Sequence, residues 1–153
     1  MLRVTRLTDY ATVVLTVLAS DAARVMSAPE LAERAGLETP TVSKVLKPLA
    51  QAGLVEGFRG ANGGYRLTRS PGQIRLIEIV EAMEGPLAVT ECSTHGGNCG
   101  IQDQCDIRAG WHHINEVVAD ALRSVTLAQM LAPPPPAPEP RPARRIDLRL
   151  AGA

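Results

Sequence analysis

Aromatic side chains are nearly missing from this chain, with one Trp, two Tyr and one Phe among 153 residues. Its core must therefore rest on Ala, Val, Leu and Ile rather than on stacked rings. No apolar run reaches the roughly 18–20 residues of a membrane-spanning helix, so no membrane partner is expected. Cysteine is scarce and odd in number, which sets aside a framework of structural disulfides and suits a cytoplasmic setting. No Ser/His/Asp constellation, phosphate-cradling glycine loop or paired carboxylates occur, so neither an enzyme nor a small-molecule substrate is expected. Internal repeats are also absent.

Net charge is missing too: 16 Lys and Arg balance 16 Asp and Glu. Taken alone, that argues against a partner made of nucleic acid. The distribution reverses the argument. Residues 1–75 carry net +4, residues 76–131 net −6 and residues 132–153 net +2. A basic first half suits contact with phosphate, and an acidic second half implies a different task.

Arg3 and Arg6 precede an apolar run, Tyr10–Ala19, as in a secretory leader. Asp9, Thr12 and Thr16 interrupt it, however, and Leu7, Ala11, Val14, Leu15 and Leu18 recur at helical spacing. An amphipathic core helix over 8–19 fits better. Ser27-Ala-Pro-Glu30 then has capping-box spacing, and its helix stops at Gly36. Thr39 is the expected cap of a third helix, with Pro40 at its first position. Val42, Val45, Leu46 and Leu49 give that helix a buried face, while Thr41, Ser43, Lys44 and Lys47 lie elsewhere on it. Two short helices joined by a tight turn, the second polar and basic outside, make a helix-turn-helix. Pro48 inside the third helix should bend its last turn.

Leu54–Arg59 and Tyr65–Thr68 are β-compatible runs around Gly60-Ala-Asn-Gly-Gly64, which reads as a β-hairpin. A hairpin directly after a recognition helix is a wing. Arginine suits a narrow minor groove, so Arg59 and Arg66 are both candidates to touch DNA there, and Arg59 is preferred for its place at the tip of the wing, Arg66 being on the return strand. The fold class expected is mainly α with one small β-hairpin, a winged helix-turn-helix followed by a long dimerisation helix. A fourth helix carrying Leu76, Ile77, Ile79, Val80 and Met83 should end at Gly85-Pro86, and a long helix should span about 105–124. Along the latter, Ile107, Trp111, Ile114, Val118, Ala121 and Val125 step by alternating fours and threes, a heptad seam that asks for a partner helix. A two-fold homodimer on double-stranded DNA fits paired half-sites. Three regions are expected: a DNA-binding domain over 1–72, a cysteine loop and dimerisation helix over 73–131, and a disordered Pro-rich tail over 132–153.

All three cysteines, Cys92, Cys99 and Cys105, fall within fourteen residues, around Gly96, Gly97, Asn98 and Gly100. Free cysteines are usually buried small hydrophobes. Three in one polar, glycine-rich loop instead suit a soft or borderline metal. Structural zinc favours C-x2–4-C pairs, and these spacings are wider and odd in number, which favours an iron–sulfur cluster with one weakly ligated corner. Zinc and a thiol redox switch stay open as alternatives, as does a redox or electron-transfer protein in which the helix-turn-helix is only a packing motif.

Leu7-Thr-Asp-Tyr-Ala11, Gly53-Leu-Val, Arg59-Gly60 with Gly63-Gly64-Tyr65, Glu81-Ala-Met-Glu-Gly85 and the three cysteines before a helix with Trp111 together resemble a known family. They are similar to the iron–sulfur-responsive winged-helix regulators of the IscR- and NsrR-like (Rrf-two) family, above all to the subgroup governing the SUF cluster-assembly system. The likeness covers residues 1–131. It implies a homodimeric repressor that controls cluster-assembly genes, with Cys92, Cys99 and Cys105 as ligands and a two-iron cluster preferred over a four-iron one. DNA contacts would come from the third helix (Glu38, Pro40, Thr41, Ser43 and Lys44) and from Arg59. One departure concerns the fourth ligand. Members of the IscR type place histidine three residues after the third cysteine; here Arg108 stands there and cannot coordinate. Other members take an aspartate from helix one of the partner subunit, and Asp9 matches it, with His95 second and His112 a further rival.

Overall fold

Thr5 starts the first helix by accepting the Thr8 backbone N–H on its hydroxyl at 3.3 Å. That helix, α1, spans Arg6–Ser20 in a computed structural model that describes residues 3–93, 99–101 and 104–132. It begins two residues before the expected start because the cap is Thr5. Ala11, Val14, Leu15 and Leu18 are buried along one face, and such leucines contribute about 1.5–3 kcal/mol each. α2 (Ala28–Ala35) opens with the Ser27 hydroxyl accepting from Glu30 N–H. It closes at Gly36, whose φ of 66° suits glycine, while Leu37 N–H caps the Ala32 carbonyl at 2.9 Å.

α3 spans Thr39–Gln51. Here the expected cap is corrected: Thr39 is the first helical residue and Glu38 occupies the cap position, without a side-chain bond. Pro40 remains in the first turn, where its missing N–H has no intrahelical partner to lose. Pro48 does not end the helix, which continues through it to Gln51. Val42, Val45, Leu46 and Leu49 bury the inner face, as the spacing requires.

β1 (Val55–Phe58) and β2 (Gly64–Leu67) pair antiparallel, with Val55 opposite Leu67 and Glu56 opposite Arg66. Tyr65 also exchanges both backbone hydrogen bonds with Met26, at 2.8 and 2.9 Å, and so ties the hairpin to the α1–α2 connection. That closeness leaves Gly64 no room for a side chain, since a Cβ there would sit 2.4 Å from the Met26 carbonyl oxygen.

A 3-10 turn (Pro71–Gln73) leads into α4 (Leu76–Glu84), which stops at Gly85 with φ 87°. α5 spans Arg108–Ser124, beginning after Cys105 rather than at it. A short helix unforeseen in the sequence, α6 (Leu127–Leu131), follows a Thr126–Gln129 capping box. Its Leu127 is fully buried, and Leu127 N–H donates to the Ile74 carbonyl at 2.9 Å. α1 packs against α2, α3, α4 and α6, so this late segment returns to the core of the first half.

The expected heptad seam divides between two faces of α5. Trp111 and Val118 are half-buried on the side of buried Asn115 and Ala119, and Val125 caps the helix. Ile107, Ile114 and Ala121 are exposed, and Val117 joins them at 54% exposure. A 3.5-residue stripe on a 3.6-residue helix straddles the edge of the inward face, so its members part company. The outward apolar line is Ile107, Ile114, Val117 and Ala121. No helix among the described residues is long and apolar enough to cross a membrane.

Candidate nucleic-acid interface and cysteine arm

The turn after α2 and the buried stripe of α3 leave the polar side of α3 facing solvent. Glu38, Pro40, Ser43, Lys44 and Lys47 are exposed and Thr41 is half-buried. From Pro40 to Lys47 these residues share the solvent face of the helix, and Glu38 stands at its N-terminal cap. A short helix presented this way has the form that enters a major groove.

The wing separates its two arginines. Arg59 directly follows β1, exposed on the loop, and takes part in no ion pair among the described residues. Arg66 is held inside the hairpin: its Nη2 and Nε donate to Glu56 Oε1 at 2.7 and 3.1 Å, and its guanidinium lies 5.1 Å from the Phe58 ring centroid. Cross-strand pairing and the cation–π contact occupy Arg66 and leave Arg59 as the available wing cation.

Behind the reading surface, Glu84 at the end of α4 reaches the start of α1. Its Oε1 accepts the Thr8 hydroxyl at 2.5 Å and the Thr5 backbone N–H at 2.7 Å. These hydrogen bonds hold the Glu84 carboxyl below its ordinary pKa, the Thr8 hydroxyl contributing most. The sequence offers no spacing signal for this link, because the partners lie 76 or more positions apart.

The cysteine arm leaves α4 at Gly85. Asn115, buried on α5, accepts Val89 N–H at 3.0 Å and donates to the Leu87 carbonyl at 3.4 Å. Next comes a 3-10 turn, Glu91–Ser93, where the Thr90 hydroxyl lies 3.1 Å from the Cys92 sulfur. Cys92, Cys99 and Cys105 are free and half-buried. Cys92 lines a polar cleft of about 390 Å³ together with Glu81, Arg108, His112, Asn115 and Glu116. Among the described residues, no three His, Cys, Asp or Glu side chains are gathered into a metal-binding group. Asp9 is exposed in the first turn of α1. His95 and the tail over 133–153 lie outside the described residues.

With that geometry in hand, the profile of the Rrf2 family, described as an iron-dependent transcriptional regulator, matches residues 4–133. The chain belongs to the Rrf2 family. Its winged helix-turn-helix is therefore that of a DNA-binding transcriptional regulator, and Rrf2 proteins are regulators rather than enzymes. Over 132 residues the chain is 31% identical to the HTH-type transcriptional regulator NsrR of Geobacillus kaustophilus, covering 85% of this chain and 90% of that protein. Among solved structures, it is similar to T. potens IscR, at 30% identity and a TM-score of 0.64, covering 85% and 86% of the two chains. CymR, the global cysteine regulator of B. subtilis, superposes with a TM-score of 0.66 at 27% identity, covering 85% and 96%.

Proposed function

We propose that this Rrf2 regulator reads the supply of iron–sulfur clusters and represses the genes of cluster assembly. The observation that carries the reading is three free, half-buried thiols confined to 92–105, between α4 and the long helix of an Rrf2 chain. The donor set fits an iron–sulfur group, because thiolates are its ordinary ligands and a hydroxyl already lies beside the Cys92 sulfur. Cys92, Cys99 and Cys105 would hold it, with Asp9 contributed by a second copy as the fourth ligand. When bound, the group supplies an oxidisable and removable centre next to α5.

The chain's own residues do the rest. Glu38, Pro40, Thr41, Ser43 and Lys44 meet base edges and phosphates in the major groove, and Arg59 enters the minor groove. The apolar line Ile107, Ile114, Val117 and Ala121 pairs two copies, so that two reading heads meet two half-sites. Asn115 fixes the cysteine arm to the pairing helix, and Glu84 fixes α4 to α1. The arm continues the chain from α4 at Gly85, so a change there would act on α4 and, through Glu84, on α1, shifting the balance between DNA-competent and incompetent dimers.

A second reading keeps the DNA-binding regulator and replaces the cluster by zinc. His112 shares the Cys92 cleft, and a mixed nitrogen and sulfur donor set is one that zinc accepts. Purification under anaerobic conditions, with visible absorption and iron, sulfide and zinc analysis, separates the two. A coloured protein with iron and sulfide supports the cluster; a colourless protein with one zinc per chain replaces it by the second reading.

A further inference from the structure

We infer that Arg6 and Tyr10 of α1 join Lys44 of α3 in a seat for a backbone phosphate of double-stranded DNA; the two α1 residues go beyond the contacts assigned above, and of the α3 residues Lys44 is the one that takes phosphate rather than a base edge. A cleft of about 400 Å³ runs between the two helices, lined by Thr5, Arg6, Leu7, Tyr10, Thr41 and Lys44. Its side chains supply two cations, the Thr41 hydroxyl and a phenol, and no carboxylate lines it; the Thr5 hydroxyl is spent on Thr8. Arg6 and Lys44 are exposed. Neither takes part in an ion pair among the described residues, whereas Arg24, Arg66, Arg69 and Arg123 all do. Charge and donors thus converge on one concave spot, the pattern that charge-assisted hydrogen bonds to phosphate require.

Steric fit decides between phosphate and base. A helix with its side chains is about 10–12 Å across and the major groove about 12 Å wide, so α3 fills the groove it enters. A group walled by a second helix at the side of α3 then faces the groove's rim, where the sugar–phosphate backbone runs. The Glu84 hydrogen bonds to Thr5 and Thr8 anchor the first turn of α1, which carries Arg6, to α4, and α1 itself packs against α3.

A phosphate seat acts on any sequence, so the test needs no operator. Fluorescence anisotropy of the full chain on a labelled duplex of arbitrary sequence is measured across a KCl series. Arg6→Gln is expected to lower the slope of log affinity against log salt by about 0.9, the value for one lost phosphate contact. It should weaken arbitrary and own-upstream duplexes by the same factor, with Arg6→Lys restoring the slope. Lys44→Gln gives a second, exposed variant with the same expected loss, and circular dichroism checks each fold. An unchanged slope in folded Arg6→Gln and Lys44→Gln overturns the seat. Weakening confined to one sequence also overturns it, because that marks a base contact.

Discussion

Asn115 binds Val89 across a separation of 26 positions: its side-chain oxygen accepts the Val89 backbone N–H at 3.0 Å, while its amide donates to Leu87. Both contacts are part-buried, and Asn115 is only 9% exposed. Removing the side chain strands one donor and one acceptor in the backbone of the cysteine arm. Asn115→Ala should cost about 1–3 kcal/mol in denaturant unfolding. Amide exchange should accelerate at Val89 before it does in α1. Unchanged exchange at Val89 would show that the arm is held by something else.

Glu84 should make stability depend on acid. Its folded pKa lies below the ordinary value, so its contribution is present at neutral pH and is lost as pH falls through that lowered value. Wild type should melt higher than Glu84→Gln at pH 7, and the two melting curves should converge as pH falls below the ordinary glutamate range. A difference that persists unchanged in acid would assign the effect to packing.

The wing arginines should behave differently. Arg59→Ala is expected to weaken operator binding by about tenfold or more, the scale of a lost specific contact, without altering the melting temperature. Arg66→Ala, which gives up Glu56 and the Phe58 ring, should change affinity far less. Anisotropy on the chain's own upstream DNA, alongside thermal melts, measures both.

Gly64→Ala should be costly, because its Cβ would meet backbone at Met26 rather than a side chain able to move. A loss of about 1–3 kcal/mol is expected, the usual range for overpacking. Gly72→Ala, which has open space, should leave stability within about 0.5 kcal/mol by the ordinary surface rule.

Association through α5 is tested at Ile114 and Val117, exposed at 43% and 54%. A glutamate at either should shift sedimentation equilibrium from dimer to monomer and weaken operator binding, with the fold of each chain preserved. A dimer unaffected by both would move the interface elsewhere.

Much of the reading head was legible because local rules wrote it. Ser27, Gly36, Pro40 and the Val42–Leu49 stripe each act within one or two turns, and glycines frame the wing. The Thr39 cap needed tertiary context, since Glu38 takes the cap position, and so did the division of the heptad seam, because the inward face of α5 is set by its neighbours. α6 carried too short an apolar pattern to see, and Leu127 is drawn in by a core assembled mostly from residues fifty or more positions earlier. Glu84, Asn115 and the α1–α3 cleft join residues distant in sequence, which no periodicity reports. The cysteines were visible from spacing alone, whereas the proposal of Asp9 from a second copy as fourth ligand rests on the resemblance and on no spacing within the chain.

Cluster-dependent DNA binding is tested most directly by measuring affinity for the chain's own upstream DNA on one anaerobic sample, before and after iron is stripped with a chelator. The account predicts that visible absorbance is lost and that affinity changes by tenfold or more, a difference of about 1.4 kcal/mol. Equal affinity in the two states, with the colour gone, would contradict it.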